Sequence, residues 1–139
     1  GPGVALHVAE TLHKNLGDRY RISPTMQAFV AQGIKTFYIK DDKGALIPNP
    51  AALALIKGGS KASTSEEVRI RALKALASEA KMMLDEGVVS TAAEIDICML
   101  LGCGWPLHLG GILPYLDREG ISSEVTGQVF HPAGVASLA

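Results

Sequence analysis

The chain has 139 residues, room for one domain or two small helical units. Hydrophobic residues make up 47% of it, enough for a core, which excludes disorder over most of the length. Its 13 basic and 14 acidic residues form no basic stripe, which argues against nucleic-acid binding, and no apolar run approaches the ~18 residues of a membrane span.

Gly1-Pro2-Gly3 reads either as a tag scar or as native sequence at a cut. No basic segment followed by an apolar one opens the chain, so no signal peptide is expected and a cytoplasmic location is. Val4 to Asn15 reads as a helix with Leu6, Ala9 and Leu12 or His13 on one side, closed by Gly17. Ser23-Pro24 supplies an N-cap and a first-turn proline for a short helix carrying Met26, Phe29 and Val30 and stopping at Gly33. Thr36-Phe37-Tyr38-Ile39 is β-like and runs into the turn Asp41-Asp42-Lys43-Gly44; it is an extended arm or a small hairpin. Asn49-Pro50 repeats the cap-then-proline signal and opens a helix of about two turns over Ala51–Lys57. The polar run Gly58–Ser63 has the composition of a linker.

The strongest periodicity follows. Ile70, Leu73, Ala77, Ala80 and Leu84 fall on one face of a helix over Glu66–Glu86. Arg69, Lys74, Lys81 and Asp85 lie mostly off that stripe. Ser63 with Glu66, or Thr64 with Glu67, makes a capping box at its start, and Gly87 ends it. A further helix starts at Thr91, with Glu94 three residues on as cap, and runs to about Leu101. After the Gly/Pro-broken segment 102–106 and the run Gly110–Asp117, residues 121–139 read as a low-charge tail with turns at Gly127, Pro132 and Gly134 and frayed last residues. Three segments result: 1–45, 46–62 and 63–139. Aromatics are only 5%, so aliphatic residues and methionine must fill the core.

Motifs for chemistry are sparse. Gly102-Cys103-Gly104 starts like a dinucleotide fingerprint, but the sixth position is Leu107 and a helix, not a strand, precedes it. His7, His13, His108 and His131 form no ligand cluster of the kind a metal needs. His108, between Pro106 and Gly110, reads as a loop side chain bonded to backbone, with a place beside a ligand as the alternative. Cys98 and Cys103 read as reduced, buried small hydrophobes rather than a disulfide or metal pair. Among the carboxylates, Asp85 and Glu86 sit at a helix C-terminus, where the dipole disfavours them. Asp96 lies between Ile95 and Ile97 and is expected half-buried and hydrogen-bonded, and Asp117-Arg118-Glu119 reads as a polar helix end. No serine stands in a nucleophile elbow. The residues therefore describe a mostly helical protein with no catalytic, cofactor-binding or metal site of its own.

One ordered series of short motifs is more specific. Glu79, Leu84-Asp85-Glu86-Gly87-Val88-Val89, Ala93-Glu94-Ile95-Asp96, Leu101-Gly102-Cys103-Gly104-Trp105-Pro106, Gly110-Gly111-Ile112-Leu113-Pro114-Tyr115-Leu116-Asp117 and Gly120 occur in that order. Together they resemble the C-terminal helical domain of the 3-hydroxyacyl-CoA dehydrogenase family, and more narrowly its second copy in multifunctional fatty-acid oxidation alpha subunits. Ser23-Pro24-Thr25-Met26, Val30, Gly33 and Phe37-Tyr38 resemble the end of the first copy, without that family's usual second glycine in the arm. The resemblance covers about residues 3–120.

It implies an all-α fold of the 3-hydroxyacyl-CoA dehydrogenase/6-phosphogluconate dehydrogenase C-terminal-like type. It also implies a parent that oxidises (3S)-3-hydroxyacyl-CoA to 3-ketoacyl-CoA with NAD. The family's Rossmann NAD domain, its catalytic His–Glu pair and any enoyl-CoA hydratase domain lie on parts this sequence does not contain. Where the first copy carries an Asn-Arg pair near substrate, this chain has Ile70-Arg71, so no substrate role transfers. The expected role is to brace the acyl-CoA cleft against the first helical copy, inactive alone, with a thiolase subunit as a further candidate partner. Exposure of the apolar side of the first helix is expected to make the fragment a homodimer or a sticky monomer. A stand-alone helical dimerisation or interaction module is the alternative reading. Whether Trp105 and His108 touch ligand or merely pack is open at this level.

Overall fold

A computed structural model describes residues 1–58 and 62–135. The chain divides into two compact units, Gly1–Ala62 and Ser63–Ala139. Most of the linker expected at 58–63 (residues 59–61) and the fraying expected at the last residues (136–139) lie outside the described residues.

In the first unit, α1 spans Pro2–Leu16, with the proline in the first turn where its missing N–H leaves no bond unmade. Leu6 is buried and Ala9, Leu12 and His13 are half-buried, whereas Val4 and Val8 face out. The side expected to lie bare is therefore turned inward, against α2 (Pro24–Ala31). After α1 a short 3-10 turn, Gly17–Arg19, brings the Tyr20 carbonyl to 2.8 Å from His13 Nδ1. The Ser23 hydroxyl accepts from the Met26 N–H, so the predicted cap forms. Phe29, buried on α2, meets Phe37 edge-to-face at 5.6 Å.

The β-like stretch proves to be a hairpin, the second of the two readings left open. β1 (Tyr38–Lys40) pairs antiparallel with β2 (Leu46–Pro48), Ile39 opposite Ile47. The Asp41 carboxylate closes its turn by accepting from the Lys43 and Ala45 amides at 2.9 and 2.8 Å. Asn49 caps α3 as expected, accepting from Ala51 N–H at 3.1 Å. However, α3 covers only Pro50–Leu53, not Ala51–Lys57. A four-residue helix with one buried side chain, Ala52, has little packing to extend it.

In the second unit, α4 spans Ser65–Asp85. Of the two possible capping boxes the structure uses Thr64 with Glu67: the Glu67 amide donates to Thr64 Oγ1 and the Thr64 amide to Glu67 Oε2. Glu66 is thereby left to pair with Arg69. Leu73, Ala77 and Ala80 are buried along the predicted stripe, with Ile70 and Leu84 at its half-buried ends. Gly87 takes a left-handed φ of 68° and ends the helix. Helix α5 spans Ala92–Gly102, and its cap is one-sided: Thr91 makes no side-chain capping bond, while Glu94 accepts from the Ser90 amide. A 3-10 turn at Leu107–Leu109 then leads into α6 (Ile112–Arg118).

The expected tail from Ile121 is instead partly helical. Helix α7 (Ile121–Thr126) packs on α4 and α6, and Ile121 joins Ile95, Ile112, Leu113 and Leu116 in the core. Ile121 and Val125 stand at i and i+4, and burying that pair compensates for a segment otherwise poor in helix formers. Phe130 and Trp105 close over the same cluster.

Candidate functional site

The polar centre of the second unit is Asp96. Its place on the inward side of α5 buries it beside Ile95, while Ile97 on the other side of the helix is 56% exposed. Asp96 is thus more buried than expected. Its Oδ1 accepts from the Leu113 amide at 2.8 Å, satisfying one of the orphan donors that open α6. Its Oδ2 accepts from His131 Nε2 at 2.7 Å, with both side chains nearly buried. The close approach needs a glycine: a Cβ on Gly111 would lie 2.6 Å from Asp96 Cγ. Asp117 holds the same returning segment from the other side, accepting from the Phe130 and His131 amides, each at 3.0 Å. Two carboxylates therefore anchor backbone amides, and one imidazole ties the returning segment to the first of them.

The segment before α6 is fixed separately. Trp105 Nε1 donates to the Gly110 carbonyl at 3.0 Å, and its ring meets Tyr115 edge-to-face at 5.4 Å. Arg118 donates to the Leu109 carbonyl at 2.8 Å, its guanidinium lying 5.7 Å from the centre of the Tyr115 ring. Tyr115 in turn accepts from Arg69 Nη1 at 2.7 Å, which ties α6 to α4. Hydrogen bonding to Arg69 holds the Glu66 carboxyl below its ordinary value, and the same pairing raises the Arg69 guanidinium. His108 is exposed on the 3-10 turn, without the backbone bond expected of it among the described residues. Trp105 packs within the fold.

Other expected residues lie apart from this centre. Asp85 is paired with Lys81 at 2.5 Å, an i,i+4 pair that offsets its poor place at the helix end. Cys98 and Cys103 are exposed and unbridged, not buried, because Cys98 lies on the outer side of α5 and Cys103 just past its end. Among the described residues no three His, Cys, Asp or Glu side chains converge as a metal would need. No helix among them is long and apolar enough to cross a membrane. A cleft of about 120 Å³ between α4, α5 and α6 is lined by apolar side chains such as Leu76, Met83, Met99 and Leu113, with Glu79 at its edge. It falls well below the ~300 Å³ at which ordinary ligand pockets begin.

Sequence reasoning missed His131 and the helix before it. The signal was present in Ile121 and Val125 at helical spacing and in Phe130-His131 inside an otherwise bland segment.

The fold is mostly helical, with one small hairpin and a buried polar centre whose carboxylates clamp backbone. Comparison with known proteins points to a family. The chain is 29% identical over 159 aligned positions to the peroxisomal fatty acid beta-oxidation multifunctional protein AIM1 of Arabidopsis thaliana, covering 96% of this chain and 22% of that protein. It is 33% identical over 112 positions to the fatty acid oxidation complex subunit alpha of Colwellia psychrerythraea, covering 70% of this chain and 16% of the relative. The corresponding subunit of Acinetobacter baumannii is 31% identical over 62% of this chain and 13% of its own length. No family model matches the chain. No solved structure matches it. The chain belongs with the multifunctional fatty-acid oxidation proteins, as a C-terminal region of that family. It spans about a fifth or less of the length of these relatives.

Proposed function

We propose that this chain is the non-catalytic C-terminal part of an NAD-dependent 3-hydroxyacyl-CoA dehydrogenase that also carries an enoyl-CoA hydratase. The parent oxidises (3S)-3-hydroxyacyl-CoA to 3-ketoacyl-CoA in fatty-acid β-oxidation. The observation that carries this reading is the likeness to a β-oxidation multifunctional protein along 96% of the chain. The chemistry of the residues supports the accessory role. Asp96, Asp117 and His131 spend their hydrogen-bonding capacity on backbone and on one another, and none is poised against an open ligand cavity.

NAD belongs to the parent in this reading. The residues here do not fit it: Gly102 and Gly104 leave α5 for a 3-10 turn, so no strand and tight turn aim a helix N-terminus at a pyrophosphate. The chain's own contribution is to brace the acyl-CoA cleft by packing against the parent's first helical copy. A Rossmann domain, acyl-CoA and a thiolase subunit are the parent's partners in the same proposal. A cytoplasmic place for it belongs to the same proposal, whereas the Arabidopsis relative is named as peroxisomal.

The test is NADH formation from 3-hydroxybutyryl-CoA and NAD⁺, measured on the parent and on this chain alone. Turnover by the parent with silence from the chain supports the accessory reading. Turnover by the chain alone overturns it and moves attention to His108 and Asp96. Silence from both removes the dehydrogenase reaction from the proposal.

A further inference from the structure

Asp96 joins the N-terminal end of α6 to the strap that Asp117, near the other end of the same helix, also holds. Through Oδ1 it fixes the first turn of α6, into which the Trp105–Gly111 segment leads. Through Oδ2 it fixes the strap from Gly127 to Pro132, which His131 closes. The strap has a natural hinge in Gly127, at a left-handed φ of 76°, and side-chain anchors at Asp96 and Asp117. We infer that Asp96 couples the strap to the Trp105 segment, so that releasing His131 loosens both.

The physical reason is that one rigid planar group supplies both bonds. Losing His131 leaves Oδ2 a nearly buried acceptor without a partner, a costly state that the carboxylate relieves by turning toward water. Turning carries Oδ1 away from the Leu113 amide, because Gly111 packs against the carboxylate and leaves no lateral room for it to adjust. The same argument run backward predicts reciprocity: pushing Asp96 from the Gly111 side loosens the strap. This inference stands on the geometry of the second unit and is independent of the enzymatic reading.

The test uses the full 139-residue chain and two readouts, amide hydrogen exchange and acrylamide quenching of Trp105, which is the chain's one tryptophan. In His131→Ala, exchange at the amides of positions 130 and 131 is expected to rise about tenfold or more, with a parallel rise at Leu113 and greater Trp105 quenching. Asp117→Asn is the comparison, since it weakens the strap's backbone anchor without touching Asp96. With the His131–Asp96 bond still made, it should raise exchange at the Phe130 and His131 amides while moving Leu113 less. Gly111→Ala gives the reverse direction, loosening Phe130 and His131 from the loop side. If it does not fold, the other two variants decide the matter. A strap that loosens in His131→Ala with Leu113 and Trp105 unchanged overturns the coupling. A strap that does not loosen at all overturns the anchoring role given to His131.

Discussion

Gly111 and Asp96 are packed so closely that any side chain at 111 would overlap the Asp96 carboxyl: an added Cβ falls 2.6 Å from Cγ and 2.8 Å from Oδ1. The glycine's φ of −62° is ordinary, so the constraint is space and not backbone conformation. Gly111→Ala is therefore expected to destabilise the protein by about 1–3 kcal/mol, the usual range for overpacking. Denaturant melts followed by circular dichroism measure this. A cost below ~0.5 kcal/mol would mean that Asp96 can move aside freely.

Removing the carboxylate itself should cost more. Asp96→Ala leaves the Leu113 amide and the His131 imidazole without their partner, both in largely buried surroundings. Losses of about 2–4 kcal/mol accompany such deletions. Asp96→Asn is expected to recover a large part of that, because its amide oxygen can accept from Leu113 while its NH₂ faces the His131 ring nitrogen. Equal destabilisation by the two substitutions would show that charge, not hydrogen-bond geometry, dominates.

Ser122 presents the opposite case. Its side chain is fully buried on α7, and its Oγ has no hydrogen-bond partner among the described residues. An orphaned hydroxyl costs about 1–3 kcal/mol relative to a satisfied one. Ser122→Ala removes that penalty at the loss of one small atom, so a gain of about 1 kcal/mol in unfolding free energy is expected. A loss of stability would reveal a hydrogen bond to the Ser122 hydroxyl that forms in solution.

These residues show where the sequence was readable and where it was not. Helix α4 was legible because its stripe repeats over five positions and its cap chemistry is local; only the choice between adjacent capping boxes needed coordinates. Ser23-Pro24 and Asn49-Pro50 were legible for the same local reason. The hairpin was ambiguous because Leu46-Ile47-Pro48 contains a proline and is too short to advertise a strand. The polar centre was only half legible. Asp96 stands out between two isoleucines, but its partners Leu113 and His131 lie 17 and 35 residues away, and no periodicity encodes such distances. α7 was missed because low charge and flanking glycines suggested a tail, while burial against α4 decided the outcome.

The Glu66–Arg69 pair predicts a pH effect with a definite sign. Hydrogen bonding to Arg69 keeps the Glu66 carboxyl below its ordinary value of 4.5 in the folded state. A depressed folded value means the pair contributes stability above the unfolded carboxyl's titration, and that contribution is lost as pH falls through the folded value. Carbon-detected NMR titration of Glu66 should show its midpoint moving up toward the ordinary value in Arg69→Ala. Both side chains are well exposed, so the accompanying change in acid stability should be slight and should shrink further in salt. An unmoved midpoint would assign the shift to something other than Arg69.

Self-association is the last expectation the surface supports. Val4 and Val8 lie one helical turn apart on the outer side of α1 and are 70% and 50% exposed. On α5, Ile97 and Leu101 share the same spacing at 56% and 81%. Four large aliphatic side chains in two exposed pairs favour association between copies of the chain. Sedimentation velocity should show dimers or larger species growing with concentration. Val4→Lys with Val8→Lys, and separately Ile97→Lys with Leu101→Lys, should tell which pair is responsible, since a charge buried without a partner opposes the contact that contains it. A monomer at high concentration in the unaltered chain would remove the expectation of a homodimer, because neither exposed pair would then be driving association.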